Sequence, residues 1–400
     1  MPNPYSWLEK SLTAIHKASW HRSVLAMDGM AGPVVEVDGR RLINFASNDY
    51  LGLSGHPQVL ERAIAAARKY GTGATGSRLL SGHRTLHDEL EQAIAQLKKT
   101  EDAVVFSSGY LANIGTVSAV VDRRDLILSD AYNHASLKNG ATLSKATVVD
   151  YPHGDVEKLA SLLKQYSSGY RRCLILTDGV FGMDGDVCPL PEILNLADCY
   201  SAMVMVDEAH SAGVLGQTGA GCAEYFNLGE AGKQPFIQMG TLSKSFASLG
   251  GYVAGSAALV DFLRNRAPSW IYTTGLSPAD TAAALGAIAT LQQEPERVQQ
   301  LRDNAGYLKE QLDQLLEEIP ADKRIFLKRL PTDSAIVCLQ VKDAKTVLVL
   351  SQRLRDCGIY VSAVRPPTVP VSRLRLSVMA THTKAQIEQV AIALRSALKN

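Results

Sequence analysis

The sequence predicts an α/β fold: a mostly parallel central sheet flanked by helices, with a smaller α+β C-terminal domain. Three observations carry that prediction. From about residue 100 to 260, short β-rich runs alternate with helical stretches: AVVFS, LILSD, ATVVDY, CLILTD, AMVMVD, FIQMGT and GYVAGS. These runs are almost continuously apolar, as strands buried on both faces must be. After about residue 290 the pattern becomes a long amphipathic helix, PERVQQLRDNAGYLKEQLDQLLEEI, then short strands such as SAIVCLQV and a final helix from Thr383.

In chain order, residues 1–47 read as an N-terminal arm with a segment of the small domain, 48–290 as the large domain, and 291–400 as the small α+β domain. The large domain begins with the helix candidate HPQVLERAIAAARKY, a glycine-rich loop, and a second helix candidate TLHDELEQAIAQLKK, with Thr85 and Asp88 at capping-box spacing. In the central runs, polar residues gather at the C-terminal ends. Ligands of open α/β sheets bind outside those ends, so Ser107, Asp130, Asp178, Asp207 and Thr241 are expected to face one site.

Composition supports a compact chain. Of 400 residues, 46% are hydrophobic and 20% charged, which argues against long disordered tracts. A formal net charge of +1 gives no reason to expect nucleic acid or an anionic membrane as a partner. Cys173, Cys188, Cys199, Cys222, Cys338 and Cys357 show neither C-x-x-C spacing nor scaffold density and read as free thiols. The first residues are polar and no apolar run reaches the roughly 18 residues a bilayer requires, so a cytoplasmic protein is expected.

Gly71-Thr-Gly73-Ala-Thr-Gly76 matches the dinucleotide pattern G-x-G-x-x-G, but it follows a helix candidate rather than a strand, and context rejects it. A better anion site is Ser107-Ser108-Gly109-Tyr110, where a strand turns through glycine into the helical run LANIGTVSAVV; free N–H groups at a helix start favour phosphate. Taken alone, such a segment is more often an ordinary βα turn. Asp207 closes the run AMVMVD, with His210 three residues on. A strand-end carboxylate can simply cap a helix, yet it also suits a pyridine nitrogen: at 4 Å and an effective dielectric near 20 the pair gains about 4 kcal/mol, roughly three pKa units. Lys244, in Gly240-Thr241-Leu242-Ser243-Lys244, lies at another strand end in an apolar, glycine-rich setting where an amine can lose its proton and form a Schiff base. His134 also follows a strand and could face a flat ring or be a satisfied structural histidine. No metal-ligand spacing, nucleophile elbow or P-loop appears. The residues alone point to a site for a phosphate-bearing cofactor.

The chain resembles the α-oxoamine synthase family of fold-type I pyridoxal-phosphate enzymes, which are aspartate aminotransferase-like transferases. The resemblance spans nearly the whole chain through NFASNDYLGL, GSRLLSG, SSGYLAN, DAYNHASL, TDGVFGMDGD, VDEAHSAGVLG, GTLSKSF, IYTTGLSP and RPPTVPVSRLRLS. It implies pyridoxal 5'-phosphate as cofactor, with Lys244 bonded to it, Asp207 at the pyridinium nitrogen, His134 stacked on the ring and His210 at the phenolic oxygen. By the same resemblance, the Gly109 and Tyr110 backbone and Thr241 hold the phosphate. Asn48 and Arg375 hold the amino-acid carboxylate, and Arg22 and Thr368 lie near the acyl substrate. A homodimer with shared active sites is implied, Thr273 or Thr274 reaching the neighbour's phosphate. The segment Val364 to Pro370 resembles the branch that condenses L-alanine with pimeloyl-CoA, or pimeloyl on a carrier protein, to 8-amino-7-oxononanoate in biotin biosynthesis. Glycine-using relatives are the nearest alternative: glycine C-acetyltransferase, 5-aminolevulinate synthase and serine palmitoyltransferase-like enzymes. A regulator or inactive partner subunit is a remoter one, since no basic helix-turn-helix segment is seen and Lys244, Asp207 and His134 are all present. One departure stands out: Gly182 occupies a position where the family usually has Ser, which is expected to change cofactor affinity or tuning.

Overall fold

The computed structural model describes residues 3–228, 236–319 and 327–399. The chain forms two compact units, one of residues 1–47, 183–185 and 303–400, the other of residues 48–182 and 186–302.

The smaller unit opens with α1 (Trp7–Lys17) and the hairpin β1 (Val34–Val37) and β2 (Arg40–Asn44). Asp38 and Gly39 link the two strands with φ of 51° and 72°, the left-handed pair that a two-residue hairpin loop requires, and Val37 faces Arg40 across it.

The larger unit begins with α2 (Pro57–Tyr70) and α3 (Thr85–Lys98). Thr85 is the first helical residue rather than the cap. The buried His87 imidazole accepts the Arg84 N–H at 3.0 Å, and its other nitrogen bonds the Leu276 carbonyl at 2.9 Å, so packing displaced the expected capping box. Then come β3 (Asp102–Phe106), α4 (Gly109–Val120), β4 (Leu126–Asp130), α5 (Ala135–Ser144), β5 (Thr147–Tyr151), α6 (Val156–Tyr166) and β6 (Cys173–Asp178). The unit continues through α7 (Leu190–Cys199), β7 (Met203–Asp207), α8 (Cys222–Tyr225), β8 (Ile237–Thr241), β9 (Gly251–Gly255), α9 (Ala257–Arg266), α10 (Pro268–Ile271) and α11 (Pro278–Gln293).

These strands form one seven-stranded sheet in the order β3-β9-β8-β7-β6-β4-β5. It is the mixed, mostly parallel sheet the apolar runs predicted. Only β9 runs against its neighbours. The reason is its connection: residues 242–250 hold no helix, and a parallel return needs a crossover of a dozen residues or more. The core beneath includes Phe106, Val117, Ile127, Leu174, Met205 and Val253, all nearly inaccessible to water. Each such side chain contributes about 1.5–3 kcal/mol through burial, which holds the strand ends in fixed register.

The chain then enters α12 (Glu296–Glu318), and the unit boundary falls inside this helix at 302/303, beyond the change of pattern near residue 290. Arg302 bonds the Gly216 carbonyl of the larger unit, while Asn304 donates to the carbonyls of Met379, Ala380 and His382 in the smaller one. Helix contacts set the boundary, which composition could not reveal. The smaller unit is completed by β10 (Leu327–Arg329), β11 (Ile336–Val341), α13 (Ala344–Asp356), β12 (Ile359–Tyr360), β13 (Ser362–Val364), β14 (Arg373–Ser377) and α14 (Lys384–Lys399). Here β1-β2-β12 and β10-β11-β14-β13 form two small sheets. Thr383 caps α14 reciprocally with Gln386. Residues 183–185 join this unit because Thr332 and Ser334 hydroxyls both donate to the Gly185 carbonyl at 2.7 Å.

Candidate active site

All parallel strands of the large sheet end on one edge, and six of the predicted side chains, Lys244, His210, Asp207, His134, Asp178 and Thr241, gather there. Lys244 is displayed by the tight 242–250 connection. Leu242, Ser245 and Phe246 anchor that loop in the core, and the Ser245 hydroxyl donates to the Ala212 carbonyl at 2.8 Å. The half-buried amine lies 2.8 Å from Nε2 of His210. The other ring nitrogen of His210 lies 2.6 Å from the Tyr50 hydroxyl, which is 3.3 Å from Oδ1 of Asn48. An imidazole between an amine and a phenol can pass a proton from one to the other.

Asp207 closes β7 and is 3% exposed. Its Oδ2 accepts from the Asn113 amide at 2.6 Å and its Oδ1 from the Ala209 N–H at 2.9 Å. Among the described residues it forms no ion pair. A buried carboxylate served only by neutral donors suits a cationic ring nitrogen. Next to it, the turn after β7 is pinned from behind, since Glu208 is buried in an ion pair with Lys98 and accepts the Cys222 N–H at 2.6 Å.

His134 caps α5. Its backbone N–H donates to Asp178 at 2.7 Å, and its Nδ1 lies 2.6 Å from the Ser136 hydroxyl, which in turn accepts from Asn113 at 2.8 Å. Burial lowers the His134 pKa against the opposing pull of Asp207, and the Lys244 charge lowers it further, which favours a neutral ring suited to stacking. Asp178 faces Asp207 on the adjoining strand, and burial, then the Asp207 charge, push its carboxyl well above the ordinary range.

At the start of α4, Ser108 caps the helix by accepting the Leu111 N–H at 3.1 Å, leaving the first-turn N–H groups of Gly109 and Tyr110 for an anion. A Cβ on Gly109 would lie 3.1 Å from the Thr241 side chain, so glycine lets these two segments approach closely as a cradle, and a larger residue would have to push Thr241 back by a few tenths of an ångström. The Thr241 hydroxyl donates to the Gly250 carbonyl at 3.0 Å, and a phosphate must compete for that proton. Ser107 turns aside, its hydroxyl donating to the exposed Thr274 carbonyl at 3.0 Å. Together, the amine, the buried carboxylate and the anion cradle fit a flat, phosphate-bearing cation.

Asp130 departs from the expectation that it joins this group. It is engaged by His153, whose two nitrogens lie 3.0 Å from Asp130 and 2.9 Å from Asp186. Burial lowers the His153 pKa, but the bonds to the two carboxylates outweigh it and raise the value to about 9. Because the folded value exceeds the unfolded one of about 6.5, the stabilisation is complete below that pH and is lost as pH rises through about 9. With solvent screening at this partly exposed ring, a loss of about 2 kcal/mol is expected between pH 6 and 10. Denaturant titrations at both pH values check it, and His153→Gln should flatten the difference.

Gly182 has a structural reason. A Cβ there would lie 2.5 Å from Nε2 of His210, the atom that faces Lys244. Gly182→Ser should therefore displace the His210 ring and lower turnover about tenfold or more. Kinetics at saturating cofactor, with the cofactor's dissociation constant measured alongside, check this.

In the smaller unit, the Arg22 guanidinium donates to the Thr368 hydroxyl at 2.9 Å. Arg375 lies buried on β14 and donates to the Ser377 hydroxyl at 2.8 Å. Asn113, Ser136 and Tyr50 escaped the sequence reading, although each stands inside a motif quoted for the resemblance.

The chain matches the family Aminotransferase class I and II over residues 40–394. It is 60% identical over 396 residues to a Nostoc punctiforme protein provisionally named an 8-amino-7-oxononanoate synthase, covering 99% of this chain and 98% of that one. Among solved structures, a serine palmitoyltransferase from S. paucimobilis with a bound PLP–myriocin adduct superposes with a TM-score of 0.89 at 30% identity, covering 98% and 97% of the two chains. An 8-amino-7-oxononanoate synthase from Francisella tularensis superposes with a TM-score of 0.74 at 28% identity, covering 90% of this chain and 98% of that one.

Proposed function

The chain belongs to the aminotransferase class I and II family and, within it, to the pyridoxal-phosphate-dependent α-oxoamine synthases; on that premise we propose that it joins L-alanine to a pimeloyl thioester. The thioester is pimeloyl-CoA or pimeloyl on a carrier protein, and the products are 8-amino-7-oxononanoate, CO2 and the free thiol, in biotin biosynthesis. The observation that carries the substrate choice is 60% identity across the full chain to a relative of that name. The serine palmitoyltransferase structure superposes with a higher TM-score than the Francisella synthase, 0.89 against 0.74, but both are only 30% and 28% identical, about half the identity of the Nostoc relative, and a shared fold does not select the amino acid.

When bound, pyridoxal phosphate supplies an electron sink, its protonated ring taking up the electron pair left at an amino-acid Cα. Lys244 would hold the cofactor's aldehyde carbon at rest and, once the amine of L-alanine has displaced it there, would take the Cα proton of L-alanine on Nζ. His210 receives or returns that proton, backed by Tyr50. Asp207 keeps the proton on the ring nitrogen, and His134 fixes the plane of the ring. The Gly109 and Tyr110 N–H groups, with Thr241, hold the phosphate. Asn48 and Arg375 are assigned to the alanine carboxylate, and Arg22 and Thr368 to the acyl thioester. We assign the enzyme to a homodimer in which Thr273 or Thr274 reaches the phosphate bound by the partner subunit.

Incubation of the holoenzyme with each amino acid and thioester, followed by product mass, tests the reading. L-alanine with pimeloyl-CoA should give 8-amino-7-oxononanoate. Turnover of glycine or L-serine with acetyl-, succinyl- or palmitoyl-CoA, and none with that pair, would assign the chain to another branch.

A further inference from the structure

The smaller unit holds a cavity of about 650 Å³ beside the Arg22–Thr368 pair. One face of α13 forms a wall, with Leu348, Gln352 and Arg355 one helical turn apart, and the strand residues Tyr360 and Val361 form another. Among the described residues the lining contains three arginines and no carboxylate. Two of the three are engaged: Arg22 with Thr368, and Arg365 with the carbonyls of Ser19 and His21 at 2.8 and 2.6 Å.

Arg355 differs. Its guanidinium lies over the Tyr360 ring, 5.7 Å from the centroid. Its Nε is shut off from water, and among the described residues that donor has no hydrogen-bond acceptor. Nor does Arg355 form an ion pair among them. A guanidinium held on an aromatic face in the cavity lining, with no carboxylate partner among the described residues, is a cation prepared for an anion. Trp20, Leu25, Leu348, Val361 and Val364 give the lining apolar surface for methylenes, between the polar Ser23, Ser351 and Thr368.

We propose that this cavity takes an aliphatic chain ending in a carboxylate, with Arg355 receiving that carboxylate and so selecting a dicarboxylic acyl group over a plain fatty one. The inference rests on the acyl-substrate reading given above, in which the carboxylate is the far end of the pimeloyl group. Arg355 acts on substrate selection, and the proton-transfer residues do not depend on it.

The experiment compares Arg355→Met and Arg355→Lys with the unaltered holoenzyme on three thioesters: pimeloyl-CoA, heptanoyl-CoA, and pimeloyl carried on N-acetylcysteamine. Arg355→Met should raise KM for both pimeloyl thioesters about 30-fold or more while leaving heptanoyl-CoA within about threefold. Arg355→Lys, which keeps the charge and loses the fork, should recover part of the loss. Equal losses on pimeloyl- and heptanoyl-CoA that are absent on the N-acetylcysteamine ester would mean that the cavity holds a phosphate of CoA, and would overturn the proposal. A change below about tenfold on the pimeloyl esters, or equal losses on all three, would also overturn it. Calorimetric binding of free pimelate and heptanoate separates the two readings. If no pimeloyl thioester turns over yet pimelate binds, heptanoate does not, and Arg355→Met abolishes the difference, the cavity assignment stands and the substrate assignment falls. If pimelate and heptanoate bind alike, the cavity assignment falls.

Discussion

Lys244→Ala should lower turnover by about 10⁴-fold or more, because one substitution removes both the amine that anchors the cofactor and the base that takes the Cα proton. The amine's surroundings make the loss hard to replace. His210 stands 2.8 Å away, but its other nitrogen is tied to Tyr50 at 2.6 Å, so it can relay a proton without being able to hold the aldehyde carbon. The loop that carries Lys244 is locked by the buried Leu242, Ser245 and Phe246, so the variant should fold and still bind cofactor through Asp207 and the Gly109 cradle. Two measurements check this. Spectra of the purified variant should lack the visible band of lysine-linked cofactor, and equilibrium dialysis should show retained, weaker cofactor binding. A variant that keeps the band and turns over normally would remove Lys244 from the chemistry.

Asp207→Asn should be the second largest effect, about 10³-fold in turnover. The substitution keeps the shape and can still accept from the Asn113 amide, but it removes the charge that keeps a ring nitrogen protonated. Loss of about 4 kcal/mol of interaction, roughly three pKa units, leaves that nitrogen largely neutral near pH 7. The neighbour is a poor replacement, since burial, the largest cause that holds the Asp178 carboxyl above the ordinary range, persists when the Asp207 charge is gone. Single-turnover exchange of the L-alanine Cα hydrogen, measured from pH 5 to 9, isolates this step. The variant should exchange slowly throughout, and a rate equal to the unaltered enzyme would mean that Asp207 serves only the fold.

Much of this arrangement is legible in the sequence, for a specific reason. Buried parallel strands are apolar along their length, so a polar residue at the end of such a run marks the edge where ligands bind; Asp207, Thr241 and the Lys244 turn are found that way. The same logic overreaches at Asp130, whose carboxylate holds His153 and the Gly154 N–H. That pairing depends on residues more than twenty positions away. Asn113 reads as one polar residue in an apolar helix, and only the fold brings it 2.6 Å from Asp207, 94 residues on. Tyr50 and His210 meet across 160 residues. The reversal of β9 is written in the short 242–250 connection, yet the strand itself looks like its parallel neighbours. Gly182 shows the limit most plainly: as a letter it is a missing hydroxyl, and in space it is room for the His210 ring.

The most direct test of the central claim is chemical. Holoenzyme reduced with borohydride, digested and sequenced by mass spectrometry should carry the phosphopyridoxyl group on the peptide containing Lys244 and nowhere else. A label on another lysine such as Lys98 or Lys138, with Lys244 unmodified, would contradict it.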